Sequence, residues 1–483
     1  MGGLLEDLKA GVRRYFFESG EVKQKVRYRE SPKSNTALLA SLPFELLYLD
    51  LVKMLHEMRV PVARRVRSEE DPIVIVGGPA VIGNPLPIWE IADAIVIGEF
   101  EEIAEDLVNA LSKPSRHSRL RTLSEIEGVL VPDYTSHKVK RVYVKDLDKS
   151  WYPIVQEVSE DVEPIWGRAF ILEVSRGCLR RCRFCMEGCI FKPRRDRSLQ
   201  KLKELLELGT SYNKVNKVSM YSLSFFDSPW GETLLEHAVS LGLEVSLPSL
   251  RAETLTEKRA ELLVEGGQKT VSIAPETGSF TIARAIMKLT GKMGAIRASE
   301  ILASAGIRQV KVYLMAGFPG ESAEDLKETL DMMLEIRKVL QPLNARVRVS
   351  LNPFIPKPST PLQWFGFKKR RAEKAVTLAK SLRKQGFEIE VYPLDYAELQ
   401  IALGRADVSA SEVLLDVALR GGGYRNLLTS LRERSARALE DWDPAEEPPW
   451  SKLIEDNYTD PEALRRELYG YLDVLMSRDP KEF

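Results

Sequence analysis

All four cysteines of this 483-residue chain, Cys178, Cys182, Cys185 and Cys189, fall within twelve positions. Disulfides that staple a fold join residues distant in sequence, so this grouping is not a disulfide framework. A tight cluster in a large chain reads instead as a metal site. Cys178, Cys182 and Cys185 give the spacing C-x3-C-x2-C. Three thiolates on one loop can hold three irons of a [4Fe–4S] cube and leave the fourth iron open to an outside ligand. A ferredoxin site wants a fourth cysteine and no vacancy, and zinc favours paired C-x2-C knuckles completed by His or further Cys. Cys189 has three readings: a packed thiol, a catalytic thiol facing substrate, or an alternative cluster ligand.

The elements around the cluster read as β/α repeats. Apolar runs at 170–174, 217–221, 244–247, 270–273, 309–315 and 346–351 predict strands. Helical spacing at 199–208, 232–241, 255–265, 294–305 and 323–339 predicts the helices between them. Six repeats make a parallel barrel or partial barrel, whose chemistry sits at the C-terminal strand ends. The cysteines directly follow the first strand.

Ahead of the barrel, 38–58 shows helical spacing. The runs 72–78 and 94–99 read as buried strands ending in glycine turns, and 101–111 as a helix. This is an open parallel α/β sheet, whose strand-end glycines either bind a ligand or only make tight turns. Residues 112–160 mix short strands, at 139–144, with polar turns and read as a connector. Residues 1–37, with Lys23, Lys25, Arg27, Arg29 and Lys33, read as a solvated basic arm. Beyond Trp364 the pattern is helical at 368–386, 397–439 and 461–475, with a short strand near 388–392. The acidic stretch 440–460 reads as surface. The expected division is 1–150, 160–365 and 366–483.

The motif Cys178-x3-Cys182-Arg183-Phe184-Cys185 after a first barrel strand resembles the radical S-adenosylmethionine (radical SAM) superfamily. Further likeness lies in Ser246–Arg251, Ala274–Ser279, Leu314–Glu321 and Asn352–Pro358, which end the later strands. Ile75-Val76-Gly77-Gly78-Pro79 and Asp93–Glu99 are similar to the cobalamin-binding-type domain that one branch carries ahead of its barrel. The resemblance covers roughly 38–365. It implies an α/β fold with an N-terminal Rossmann-like domain, a partial (β/α)6 TIM-like barrel and a C-terminal, mainly helical domain.

By that resemblance Cys178, Cys182 and Cys185 ligate the cluster, and the open iron takes the amino and carboxylate groups of S-adenosylmethionine. Phe184 flanks the adenine through its backbone. Ser222 and Ser224 stand where the family has a glycine-rich acidic stretch, here without an acid until Asp227. Ser249 and Arg251 are assigned to the ribose or carboxylate, Glu276 to the ribose or amino group, and Gly317 to the adenine. The implied reaction makes a 5′-deoxyadenosyl radical that takes hydrogen from an unactivated carbon. The implied partner is a one-electron donor of flavodoxin or ferredoxin type.

The cysteine count excludes members that need a second cluster. None of His56, His117, His137 and His237 sits in the Asp-x-His-x-x-Gly motif that ligates cobalt, which leaves cobalamin open. If it binds, methyl transfer to carbon follows; without it, a small molecule, peptide or RNA is modified or rearranged. A non-catalytic Fe–S carrier or sensor is the non-enzyme alternative.

The basic residues Arg176, Arg180, Arg181, Arg183, Lys192, Arg194, Arg195 and Arg197 form a solvated face, balance an anionic cluster, or make a mouth for an anionic substrate or acidic donor. With 70 basic against 70 acidic residues, coating nucleic acid through bulk charge is excluded. The apolar stretch 73–97 is broken by Pro79, Asn84, Pro85, Pro87, Glu90 and Asp93 and is too interrupted to span a membrane. A cytoplasmic protein is expected.

Overall fold

The computed structural model describes residues 37–156 and 167–477. The basic arm with Lys23, Lys25, Arg27, Arg29 and Lys33 lies outside them. The chain forms two compact units. The first comprises Met1–Lys145, Ile355–Phe367 and Asp395–Arg465, the second Asp146–Phe354, Lys368–Leu394 and Arg466–Phe483.

The first unit holds a sheet of β1 (Ala37–Ser41), β2 (Ile73–Gly77), β3 (Ala94–Val96) and β4 (Val129–Leu130), in that spatial order. β1, β2 and β3 are parallel, and β4 runs antiparallel at the edge. Helical spacing predicted from residue 38 onward is correct only from Leu47, where the helix Leu47–Glu57 begins. Residues 37–41 are a strand, because a run this short carries no period that separates strand from buried helix. The expected connector likewise contributes β4, the helix Arg116–Leu123 and β5 (Val139–Lys140). β5 pairs in parallel with Ile454–Glu455, so the acidic stretch is not merely surface. Arg141 and Asp456 form an almost wholly buried ion pair there, 2.8 Å apart.

The expected boundary at 366 does not divide the chain this way. Leu399, Val413, Leu414, Leu427 and Leu431, from the helices Leu394–Gly404, Ser409–Leu419 and Tyr424–Arg434, share one core with Leu49, Val52, Val76 and Ile95. Periodicity reveals that a helix has an apolar face, but not which distant element covers it.

The second unit contains all six expected strands: β6 (Phe170–Glu173), then β9 (Lys217–Tyr221), β10 (Glu244–Ser246), β11 (Thr270–Glu276), β12 (Gln309–Ala316) and β13 (Arg346–Pro353). Between β6 and β9 lie two short strands, β7 (Ser175–Arg176) and β8 (Arg195–Asp196), paired antiparallel. β14 (Glu388–Val391) adds a seventh parallel strand beyond β13. The ladders run β10-β9-β6 and β11-β12-β13-β14, joined by a parallel bridge from Leu250 to Ile273. Alternate residues of β12 are buried, as a sheet wrapped by helices requires. Ser198, Thr256 and Ser322 cap the helices Leu199–Asn213, Glu257–Glu265 and Ala323–Leu340, each accepting a backbone N–H of the first turn. Among the described residues no helix is long and apolar enough to cross a membrane.

Candidate active site

The cysteine loop is an excursion closed at its base. It leaves through β7 and returns through β8, so chain 177–194 is held by that pairing. Arg197 anchors the return. Wholly buried, it donates to the Glu173 carbonyl at 3.1 Å, to the Glu173 carboxylate at 3.1 Å and to the Leu147 carbonyl, and lies 4.8 Å over the Tyr152 ring.

On the loop, Cys178, Cys182 and Cys185 are partly buried and Cys189 is buried, all as free thiols. The Arg180 N–H donates to Cys178 Sγ and the Gly188 N–H to Cys185 Sγ, both at 3.3 Å. The Arg251 guanidinium lies 3.9 Å from Cys182 Sγ. Burial pushes the Cys178 and Cys185 thiols up from their ordinary value. Positive metal at the sulfurs reverses that penalty, and N–H donors to thiolates are what an iron–sulfur cluster receives from its protein. Three cysteine thiols with backbone N–H donors on two of them are a donor set that fits an iron–sulfur cluster.

The loop docks on chain 285–287. The Arg183 backbone N–H donates to the Ile286 carbonyl at 3.1 Å and its guanidinium to the Ala285 carbonyl at 2.7 Å. Cys182 Sγ lies 3.8 Å from the Met287 carbonyl. Phe184 packs edge-on against Phe318, which in turn lies against Phe354.

The basic loop does not present an open cationic mouth. Arg176 is bidentate to Glu173 and Arg194 to Asp196, while Arg180 forks onto Asp227. Arg181 and Arg183 both reach Glu467. Arg195 donates to the Pro193 and Phe191 carbonyls. These guanidiniums fasten the loop, because Arg offers a planar fork that fits a carboxylate or paired carbonyls.

Other expected residues distribute as follows. Ser222 and Ser224 are buried at the end of β9. Ser222 Oγ lies 2.7 Å from Ser175 Oγ, and Ser224 Oγ donates to Asp227 at 2.7 Å. Burial works to raise Asp227, but the bonds from Arg180 and Ser224 outweigh it and hold its carboxyl below the usual range. Arg251 is held by Glu253 at 2.7 Å, and Ser249 is exposed. The space beside Gly317 is taken by the Arg371 carbonyl, 2.5 Å from where a Cβ would stand. Its missing side chain is thus accounted for by packing.

Glu276 stands apart. It is buried at the end of β11 with φ +69°, after a break in the ladder register. A left-handed backbone is costly for a residue with a Cβ and collects at functional sites. Burial raises its carboxyl, opposed by Lys288, whose Nζ is 3.3 Å away, and by Arg251. Lys288 was not singled out from the sequence. Its signal was a lysine within the otherwise apolar run Ala285–Leu289, and it is 7% exposed. A cleft of about 830 Å³ in the first unit, lined by His117, Tyr134 and His137, contains none of the expected site residues.

Residues 22–132 match the family model described as "Radical SAM proteins, N-terminal", and residues 172–333 that of the radical SAM superfamily. The uncharacterized protein MJ0966 of Methanocaldococcus jannaschii is 32% identical over 408 residues, which are 84% of each chain. The chain belongs to the radical SAM superfamily. A second M. jannaschii protein, MJ1620, also uncharacterized, is 21% identical over 68% of this chain and 71% of its own. Among solved structures, the radical SAM methyltransferase TsrM of Kitasatospora setae has a TM-score of 0.52 at 15% identity, over 84% of this chain and 89% of that one. This last likeness is one of fold. The family's cofactors are a [4Fe–4S] cluster and S-adenosylmethionine, and the family requires a reductant and a substrate.

Proposed function

We propose that this protein is a radical SAM enzyme that takes hydrogen from an unactivated carbon of its substrate. The supporting observation is the three-cysteine loop, fastened at the C-terminal end of the first barrel strand with backbone N–H groups on two sulfurs. The bound cluster supplies the electron that cleaves S-adenosylmethionine to methionine and a 5′-deoxyadenosyl radical. Cys178, Cys182 and Cys185 hold the cluster in this reading.

Glu276, kept in place by Lys288, is the acceptor for the ribose or amino group of S-adenosylmethionine. Arg251 faces its carboxylate, Phe184 borders the adenine, and buried Ser222 and Ser224 replace the missing acidic stretch. Ser249 is exposed at the rim and Gly317 is occupied by packing, so both are weaker members of the set. Cys189 lies buried in the short helix Glu187–Ile190, which supports a packing thiol over a catalytic one. The electron donor in this reading is of flavodoxin or ferredoxin type. The place of action is the cytoplasm, where reductant is available.

Methyl transfer to carbon is the second reading, supported by the fold likeness to the methyltransferase TsrM. Electron paramagnetic resonance of the reduced, reconstituted protein tests the primary one. S-adenosylmethionine should change the cluster signal by binding the open iron. An unchanged signal at saturating S-adenosylmethionine contradicts an open-iron site and leaves only an electron carrier or sensor.

A further inference from the structure

The resemblance that places a cobalamin-type domain ahead of the barrel makes a specific demand on the first unit. A corrin bound at an open α/β sheet needs free space beyond the carboxyl ends of the parallel strands, favoured where strand order reverses. Three observations oppose this. Among the described residues the parallel strands run β1-β2-β3 without reversal.

The strand-end turns are also filled by the unit's own backbone. Gly78, at φ +107°, follows β2, and a Cβ there would stand 2.8 Å from the Leu42 nitrogen and oxygen. Gly98, at φ +138°, follows β3 and would press a Cβ onto the Val142 carbonyl, which accepts the Glu99 N–H at 3.0 Å. Both are positions only glycine occupies without strain. The contacts at these two turns are made by the protein's own Leu42 and Val142.

Third, chain from two later segments is seated over the loops after β1 and β2. Glu45, four residues beyond β1, is wholly buried and accepts Lys357 Nζ at 2.6 Å, and Lys357 also donates to Gln400 at 2.8 Å. Ser359 Oγ donates to the Gly83 carbonyl at 3.1 Å. Asn84, also wholly buried, donates to the Gly404 and Ala406 carbonyls at 2.9 and 2.8 Å and accepts the Leu86 N–H at 3.0 Å. His56 ends the helix Leu47–Glu57, which runs back from this end of the sheet, while His117, bonded to Tyr134 at 2.9 Å, and His137 line the first unit's cleft of about 830 Å³.

We infer that the strand-end crest after β1 and β2 is closed against cobalamin: it is plugged by 355–363 and 404–406 and latched by the Glu45–Lys357 pair. The residues present do not fit a corrin, so the protein works without one. This deepens the hydrogen-abstraction reading and discards corrin-carried methyl transfer.

Equilibrium dialysis of the full reconstituted protein against hydroxocobalamin tests the inference. Less than a tenth of an equivalent should be retained, and half an equivalent or more overturns it. The latch is tested by Lys357→Met, which strands a buried carboxylate and should lower the melting temperature by about 5 °C or more. The double variant Glu45→Gln/Lys357→Met should regain at least half of that loss, since neither charge is left alone. A Lys357→Met melt within about 1 °C of wild type overturns the latch. Cobalamin retention and 5′-deoxyadenosine formation are separate readouts. Failure of this inference is therefore distinguishable from failure of the radical reading.

Discussion

Both units end parallel strands in turns at their carboxyl edges, yet the two edges are put to different use. In the first unit, the turns after β2 and β3 are packed against Leu42 and Val142. In the second, the turn after β6 opens into a long loop with four thiols, three of them in the C-x3-C-x2-C spacing, fastened at its base and flank by arginines. Strand-end position alone therefore does not make a ligand site. What separates the two edges is that later segments of the chain cover the loops after β1 and β2, whereas the loop after β6 carries clustered thiols with N–H donors.

The comparison breaks most sharply at the cysteines. Cys182→Ala should abolish iron binding and S-adenosylmethionine cleavage outright while the metal-free protein keeps its melting temperature, because the loop is fastened by other residues. Gly98→Ala, at the closed edge, should do the opposite. It should lower stability by about 2–4 kcal/mol through backbone clash and positive φ, while the folded fraction still loads iron. Iron content and thermal melts of both variants check the pair.

Next in size is Glu276→Gln. It removes the buried partner of Lys288 and the proposed acceptor for S-adenosylmethionine. Affinity for S-adenosylmethionine should fall by about 10–100-fold, as for loss of a charge-assisted buried hydrogen bond; calorimetric titration of the cluster-loaded protein measures it. Cys189→Ala should keep the cluster and change S-adenosylmethionine cleavage less than about threefold, since truncating a small buried thiol is worth about 1–2 kcal/mol of packing. Loss of product formation with cleavage intact would restore the catalytic reading of this thiol.

The smallest effect concerns the loop fastening. The Asp227 carboxyl is held below its ordinary value, so its pair with Arg180 contributes fully above the unfolded value of 3.8 and is lost as pH falls through the lower folded value. In metal-free protein, the melting difference between wild type and Asp227→Asn should be constant at neutral pH and shrink in that acid window. Arg180 is partly exposed, so the difference should be modest.

Much of the second unit was legible because β/α alternation writes two distinct periods into the sequence. The six strands and the helices between them fall where apolar runs and helical spacing place them. What could not be read depends on partners far apart in the chain. Leu38 to Ser41 is too short a run to show a period. The role of 394–434 as core for the first sheet leaves no mark beyond an apolar face. The pairing of the arginines near the cysteines could not be read among a solvated face, charge balance and a basic mouth, because Glu467 lies nearly 300 positions from Arg181. The reason for glycine at 317 is the Arg371 carbonyl, which only the fold brings there.

In the proposed function the cysteine loop holds a cluster able to cleave S-adenosylmethionine. Anaerobic reconstitution, reduction with dithionite and addition of S-adenosylmethionine test it directly, with 5′-deoxyadenosine quantified by chromatography and mass spectrometry. Wild-type protein should form 5′-deoxyadenosine and Cys182→Ala none. An intact reduced cluster that yields no 5′-deoxyadenosine would contradict the account.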